Sequence, residues 1–168
     1  MMKKEILIIA EIKLIGLKIR TNNKNESNPL TSKIASLVMN QYYGFGTANK
    51  IPSRKNPGIT FGIYTEYESD YTGDYTYFIG EEVTSFEQVP DGLSSQNIIP
   101  GTYAQFTTEI GAMPQIIIKA WNKIWQMTES DLTGNRSYQT DFEIYNPSNQ
   151  ISDPTRTTAE IYIGIGRD

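Results

Sequence analysis

The apolar residues of this chain change their spacing in an order that occurs twice, and this repeated order constrains the fold most strongly. In each half the pattern predicts a strand, then a helix, then two strands. The halves share little residue identity, so the repeat lies in the order of the elements. We therefore predict an α+β fold with a single domain over residues 1–168, divided into structural half-repeats of about residues 1–90 and 91–168.

Glycines and prolines delimit the predicted elements. The strands cover residues 5–20, 59–68, 75–83, 101–110, 140–145 and 158–165, and the helices cover residues 30–43 and 114–125. The first strand is long and contains Gly16, where we expect a bend. We expect both helices to pack on one face of an antiparallel sheet, which leaves the other face partly open.

Cysteine and histidine are both absent from the sequence, and this removes much catalytic and metal-binding chemistry. Disulfides, thiolate nucleophiles and cysteine zinc sites need cysteine, while Ser-His-Asp and Cys-His machinery needs histidine. Histidine is also the commonest protein ligand of metals such as zinc. Any acid–base chemistry must use Asp, Glu, Tyr or Lys, and we expect neither a cofactor nor a metal ion.

The net charge of −4, from 15 Lys and Arg against 19 Asp and Glu, disfavours nucleic acid and mildly favours cations, although it can also serve solubility alone. The N-terminus begins like a signal peptide, but Glu11 and Lys13 interrupt its apolar run and no cleavage site follows. No stretch reaches the roughly 20 uncharged apolar residues of a membrane span. We therefore expect a cytoplasmic protein that contacts no membrane.

Alternation along the last two predicted strands groups acidic with aromatic side chains. In the last strand, Glu160 and Tyr162 lie on the face opposite the isoleucines, which we expect to pack against a helix. In the preceding strand, Asp141, Glu143 and Tyr145 share one face. If these strands pair, their two acidic and aromatic faces become neighbours.

Tyrosine is abundant, with 11 residues, and Tyr64, Tyr77 and Tyr103 supply further rings on the other strands. A partly desolvated carboxylate among aromatic rings selects a cation, because an unpaired buried charge is costly and ring faces attract positive charge. Burial also tends to raise the pKa of such a carboxyl group. The alternative interpretation is that these residues simply face solvent on the second face of the sheet.

Eight short stretches of the chain resemble one family in a shared order. They are residues 14–23 (LIGLKIRTNN), 63–70 (IYTEYESD), 75–83 (YTYFIGEEV), 99–104 (IPGTYA), 121–125 (WNKIW), 136–138 (RSY), 141–145 (DFEIY) and 160–163 (EIYI). In these stretches the chain is similar to the bacterial effector-binding domain, also called the gyrase-inhibitor-like domain. It looks closest to the stand-alone members carried on integron gene cassettes. The same domain is the C-terminal module of some AraC-type regulators and of MerR-type multidrug regulators.

The resemblance implies a pseudo-twofold fold with a ligand cleft between the two units. It also implies binding of amphipathic cationic drugs by aromatic rings and by a buried glutamate of the last strand. Glu160 matches that glutamate, and Glu143 matches a second acidic position. The predicted ligand-binding residues are Glu160, Tyr162, Glu143, Tyr145, Tyr64, Tyr77, Tyr103 and Trp121. For Trp121, on the second predicted helix, packing in the core is the alternative role.

The family's regulators carry a DNA-binding module, whereas here the effector domain uses the whole sequence. No helix-turn-helix or basic recognition segment remains, so we expect no direct contact with nucleic acid. A regulatory role would then need a separate protein partner.

Two other functions remain open beside ligand binding. Some relatives in the wider family are hydrolases of reactive small molecules, and in such an enzyme Glu160 would be the base that activates water. Inhibition of another protein, as the family's name suggests for gyrase, is the second alternative. We expect binding of a small cationic or amphiphilic ligand rather than catalysis.

Overall fold

Eight strands form one antiparallel sheet in the computed structural model, which describes residues 2–149, 153 and 155–166. The strands are β1 (Lys3–Ile9), β2 (Ile12–Asn22), β3 (Thr60–Thr65), β4 (Asp74–Glu82), β5 (Ser94–Ile98), β6 (Gly101–Thr107), β7 (Asn135–Tyr145) and β8 (Glu160–Gly166). The helices are α1 (Asn23–Glu26), α2 (Ile34–Ser36), α3 (Gln115–Ile124) and α4 (Glu129–Leu132). A π-helical segment (Leu37–Tyr43) continues α2, and 3₁₀ turns cover Thr47–Lys50 and Pro147–Asn149. The predicted α+β class is confirmed.

The strand order β1-β6-β8-β7-β3-β4-β2-β5 is symmetric about a pseudo-twofold axis between β7 and β3. Strands β2, β3 and β4 form the first unit with the π-helical segment, and β6, β7 and β8 form the second unit with α3. The remaining strands cross between units, because β1 pairs with β6 and β5 pairs with β2. The predicted pair of strand-helix-strand-strand units is confirmed, and the pairing of β3 with β7 joins them.

The sheet curls strongly, because β1 and β2 follow each other directly in the chain although they stand first and seventh in the strand order. In a flat sheet these strands would lie roughly 29 Å apart, whereas the chain from Ile9 to Ile12 reaches roughly 11 Å. The curl therefore brings the two edges of the sheet towards each other and encloses one of its faces.

The predicted single strand over residues 5–20 is wrong, because the chain turns at residues 10–11 and forms two strands. Both strands are rich in Ile and Leu, so the apolar pattern does not mark the break between them. Gly16 is not the bend. It faces Gly80 across the β2–β4 pair, where a Cβ atom would stand 1.9 Å from the carbonyl oxygen of Ile79, so the close approach of two backbones requires glycine.

The first helix differs from its prediction in length and in form. Its regular part begins at Ile34 instead of Leu30, whose side chain is 94% exposed. Its buried residues are Leu37 and Tyr42, five positions apart, because the π-helical turn widens the usual spacing. Strand β5 is absent from the predicted elements because four of its five residues, Ser94–Ile98, are polar.

The helices pack on one face of the sheet, as predicted. Ile161, Ile163 and Ile165 of β8 pack against α3, while Leu37 and Tyr42 pack on β2 and β4. The opposite face is not partly open as predicted, because the curled sheet encloses a second core there. That core contains Leu14, Phe61, Ile63, Phe78, Ile98, Tyr103, Phe142 and Tyr162. Of the described helices, none has the length and apolar character of a membrane span.

Candidate functional site

A buried carboxylate lies where the two units meet, on the face of the sheet that carries the helices. Glu143, on the central strand β7, is 1% exposed. It stands opposite Gly62 of β3 on one side and Ile161 of β8 on the other. The alternation of β7 places Glu143 towards α3, which packs over the second unit, and the π-helical segment packs over the first. The carboxylate therefore lies at the base of the junction between the helices.

Three neutral side chains donate hydrogen bonds to this carboxylate. The indole N–H of Trp121, from α3, lies 2.5 Å from Oε1, and the hydroxyl of Tyr64, from β3, lies 3.0 Å from the same oxygen. The hydroxyl of Tyr145 donates to Oε2. Within the described residues, no Lys or Arg forms an ion pair with Glu143. Burial raises the pKa of Glu143, and the three hydrogen bonds oppose that rise without cancelling it.

Gly62 leaves space beside the carboxylate because it has no side chain. A Cβ atom at this position would lie 2.9 Å from the Tyr77 hydroxyl and 3.2 Å from Oε2 of Glu143. The hydroxyl of Tyr77, on β4, and Oε2 of Glu143 therefore both border the small space above Gly62. Four predicted ligand-binding residues, Tyr64, Tyr77, Trp121 and Tyr145, are thus brought together around Glu143.

The aromatic rings pack closely around Glu143. Tyr64 makes edge-to-face contacts with Tyr75, Tyr77 and Trp121, with ring centroids 5.5, 5.2 and 5.1 Å apart. Such contacts stabilise the group and at the same time fill the space above the carboxylate. A guest molecule must therefore displace at least one ring to reach Glu143. Tyr43, at the end of the π-helical segment, is 52% exposed.

A second buried carboxylate, Asp141, lies two residues before Glu143 on the same face, and it is paired. The guanidinium of Arg136 and the hydroxyl of Tyr67 each lie 2.6 Å from Oδ2, and the backbone N–H of Gly164 lies 3.0 Å from Oδ1. Asp141 is fully buried and the Arg136 side chain is 8% exposed. The ion pair with Arg136 neutralises the charge of Asp141 inside the protein. Glu143, in contrast, has only neutral hydrogen-bond partners among the described residues.

The structure separates Glu160 from Glu143, which corrects the prediction of neighbouring acidic faces. Glu160 stands opposite Ile144, so it lies on the other face of the sheet, half-buried, and accepts a hydrogen bond of 3.0 Å from Tyr162. Glu160 is therefore not the buried glutamate of this structure, since Glu143 has that environment, whereas a role of Glu160 in ligand binding stays a prediction. Tyr103 also lies on the Glu160 face. Contact of Glu160, Tyr162 and Tyr103 with a ligand stays a prediction and would require a second site.

Sequence reasoning missed three contributors to this region. Gly62 carries a signal, because a glycine inside a strand often marks close approach of another group. Arg136 and Tyr67 carry none, since their meeting with Asp141 depends on tertiary structure. Within the described residues, no three Asp or Glu side chains are arranged to hold a metal ion.

Comparison with known proteins places the chain in a family. Residues 5–165 match the family model of Cass2, the integron-associated effector binding protein. The crystal structure of the integron cassette protein VCH_CASS2 from Vibrio cholerae is 30% identical in sequence, with a TM-score of 0.76 over 97% of this chain and 95% of that chain. The structure of SAV2435 bound to tetraphenylphosphonium is 18% identical, with a TM-score of 0.73 over 98% of this chain and 94% of that one.

A curated relative adds a link to transcription regulators. The YobU protein of Bacillus subtilis (strain 168), named as a candidate transcriptional regulator, is 28% identical over 103 residues. The match covers 61% of this chain and 61% of YobU, less than two thirds of that protein's length. The match over residues 5–165 and the likeness to VCH_CASS2 agree with the fold described above. The chain therefore belongs to the family of integron-associated effector-binding proteins.

Proposed function

We propose that this effector-binding domain takes up a lipophilic organic cation, whose charge pairs with Glu143 and whose apolar groups contact the surrounding rings. The single observation that carries the proposal is a buried carboxylate whose hydrogen-bond partners are all neutral. Taking a carboxylate out of water without a cation is costly, and the cost appears here as the raised pKa of Glu143. A cation that reaches the carboxylate recovers part of that cost.

The walls around Glu143 fit an aromatic or aliphatic cation better than a small hydrated one. Tyr64, Tyr77, Tyr145 and Trp121 offer ring faces and edges, and such faces attract positive charge by their quadrupole. The hydroxyl and indole donors already orient the carboxylate, so a ligand needs no hydrogen-bond donor of its own. A quaternary cation such as tetraphenylphosphonium, the molecule bound to SAV2435, meets these requirements.

The ligand reaches the site by moving aromatic side chains rather than by filling an open cavity. The ring contacts of 5.1–5.5 Å around Tyr64 leave the site closed in the unbound protein. Exposed apolar side chains lie on the π-helical segment and directly after it, among them Met39, Tyr43 and Phe45. We infer that the first contacts of an apolar ligand form there before the rings separate.

In a regulatory setting the domain would act as the sensor, and its output would pass through a separate protein. The kinship with YobU supports a link to transcription. The net charge of −4 opposes direct contact with a nucleic-acid backbone.

Calorimetric titration with two ions of matched shape tests the proposal. Tetraphenylphosphonium and tetraphenylborate differ mainly in the sign of their charge, so the cation should bind and the anion should not. In Glu143→Gln the affinity for the cation should fall by at least about 30-fold, because the substitution removes one partner of a buried charge pair. Glu160→Gln is the matched control on the opposite face and should bind as the unaltered protein does. Equal affinity for the two ions, or full affinity in Glu143→Gln, would contradict the proposal.

Catalysis is the second candidate, and the raised pKa of Glu143 among Tyr and Trp donors is the observation that favours it. Such a carboxyl can exchange a proton with a substrate or water, while neighbouring donors stabilise developing charge. Chromatography of a panel of epoxides and activated esters, incubated with the protein, tests this function. Loss of a substrate over time that stops in Glu143→Gln would support hydrolysis. If every substrate stays intact, ligand binding without catalysis is the function that remains.

A further inference from the structure

Two buried carboxylates share one face of β7, and the buried guanidinium of Arg136 lies beside them. Asp141 and Glu143 are two positions apart, so their Cα atoms are separated by roughly 7 Å. Arg136 pairs with Asp141, at 2.6 Å, so that among the described residues Glu143 has no cationic partner. This group of three charges therefore has one negative charge in excess, and the excess is located at Glu143.

The backbone of β7 is distorted in a way that selects Asp141 as the partner of Arg136. In a regular strand, residues five positions apart point to opposite faces. Here the register shifts between Arg136 and Asp141, so that Arg136 stands opposite Ile165 and Asp141 opposite Ile163. Tyr138, inside the shifted segment, has a φ of +50°, a conformation that tyrosine rarely adopts. The irregularity brings the guanidinium to the face that carries both carboxylates.

Aromatic rings surround the guanidinium as they would surround a bound cation. Its Cζ atom lies 4.5 Å from the centroid of Tyr138, 5.7 Å from that of Trp121 and 6.0 Å from that of Tyr67. Among the described residues, the buried Nε atom of Arg136 has no hydrogen-bond partner. In the part of the chain that the structure describes, Asp141 is the one carboxylate that forms an ion pair with Arg136, so it is the charged group that holds the guanidinium in this position.

Trp121 connects the two charged groups. Its indole N–H donates to Glu143, while its ring faces the guanidinium of Arg136. An internal cation is thus one aromatic side chain away from the carboxylate that is proposed to receive a ligand.

We propose that Asp141 determines the specificity of the site by retaining Arg136, so that Glu143 stays available to a cation from outside. Asp141 is a positioning residue, since it acts through Arg136 and not on the ligand. Without Asp141, the guanidinium would turn to Glu143 and neutralise it. The inference rests on the proposed function for its consequence in binding, but the movement of Arg136 can be measured without any ligand.

Two variants and two measurements test the inference. Asp141→Asn keeps the shape of the side chain and removes its charge, and the double variant Asp141→Asn with Arg136→Met removes the internal cation as well. Carbon-13 NMR titration of the Glu143 carboxyl gives its pKa, and calorimetry gives the affinity for tetraphenylphosphonium. In Asp141→Asn the pKa of Glu143 should fall and the affinity should weaken by at least about tenfold, because an internal ion pair forms.

The double variant should restore both quantities, with an affinity within about threefold of the unaltered protein, because no internal cation remains to pair with Glu143. A destabilised fold alone would not be rescued in this way. An unchanged pKa of Glu143 in Asp141→Asn, or a double variant as weak as the single one, would overturn the inference. If the unaltered protein fails to bind tetraphenylphosphonium, the proposed function fails, while the pKa comparison still decides the position of Arg136.

A milder variant covers the case in which Asp141→Asn does not fold. Tyr67→Phe keeps both charges and removes one hydrogen bond to Asp141. Asp141 keeps its charge in this variant, so Arg136 should stay with it and the pKa of Glu143 should stay as in the unaltered protein. A pKa of Glu143 that falls although Asp141 keeps its charge would contradict the inference.

Discussion

The indole N–H of Trp121, on helix α3, lies 2.5 Å from Oε1 of Glu143, on the central strand β7. This hydrogen bond links the helix layer to the sheet at the junction of the two units. It satisfies a buried carboxylate with a neutral donor, as do the hydroxyls of Tyr64 and Tyr145. In the described part of the chain, the charge of this carboxylate therefore has no cationic partner.

The stability of the protein should depend on pH through Glu143. Burial raises its pKa above the usual value of 4.5, so the unfolded chain loses this proton at lower pH than the folded one. The contribution to stability is complete below the unfolded pKa and is lost as the pH rises through the folded pKa. Relative to Glu143→Gln, the unaltered protein should lose about 1.4 kcal/mol for each pH unit between the two values. Urea unfolding from pH 4 to pH 8 measures this, and a difference that stays constant with pH would contradict it.

Removing one hydrogen bond to Glu143 should raise its pKa further. Tyr145→Phe keeps the ring and removes the hydroxyl that donates to Oε2, so the charged carboxylate loses a favourable contact. A hydrogen bond to a charged group corresponds to a pKa change of roughly one pH unit or more. Carbon-13 NMR titration of the Glu143 carboxyl measures the change. Tyr103→Phe is the control, because its hydroxyl donates to the carbonyl of Ile99 on the other face, and it should leave the Glu143 titration unchanged.

The space beside Glu143 should not tolerate even one methyl group. In Gly62→Ala the new Cβ atom would lie 2.9 Å from the Tyr77 hydroxyl and 3.2 Å from Oε2 of Glu143. We expect a loss of about 1–3 kcal/mol in unfolding free energy and weaker binding of tetraphenylphosphonium. Gly101→Ala is the matched control, since no atom lies within 4 Å of a Cβ atom there. Equal stability and affinity in the two variants would show that Gly62 has no such role.

Alternation along single strands was enough to predict part of this arrangement. It placed Ile161, Ile163 and Ile165 towards a helix, and it placed Glu143 and Tyr145 on one face of their strand, as the structure shows. These predictions need only the period of two residues along a strand. The two units could be predicted in a similar way, because the order of strands and helices also follows from local patterns in the sequence.

The register between strands could not be read in this way. Each strand has two faces, but the sequence does not state which face of β8 adjoins which face of β7, and a shift of one residue exchanges them. Glu143 therefore lies on the same face of the sheet as Ile161, while Glu160 lies on the opposite face beside Ile144. The face on which Arg136 lies could not be predicted either, because it depends on the irregular segment between Arg136 and Asp141. The curl of the sheet, which encloses the second core, likewise depends on pairings between distant strands.

The central claim is that a ligand cation pairs with the buried carboxylate of Glu143. The most direct measurement is the carbon-13 NMR titration of that carboxyl with and without saturating tetraphenylphosphonium. A positive charge close to the carboxylate favours its ionised form, so the pKa of Glu143 should fall in the complex, and the affinity should rise with pH until Glu143 is fully ionised. A pKa that is unchanged or raised in the saturated complex would contradict the account.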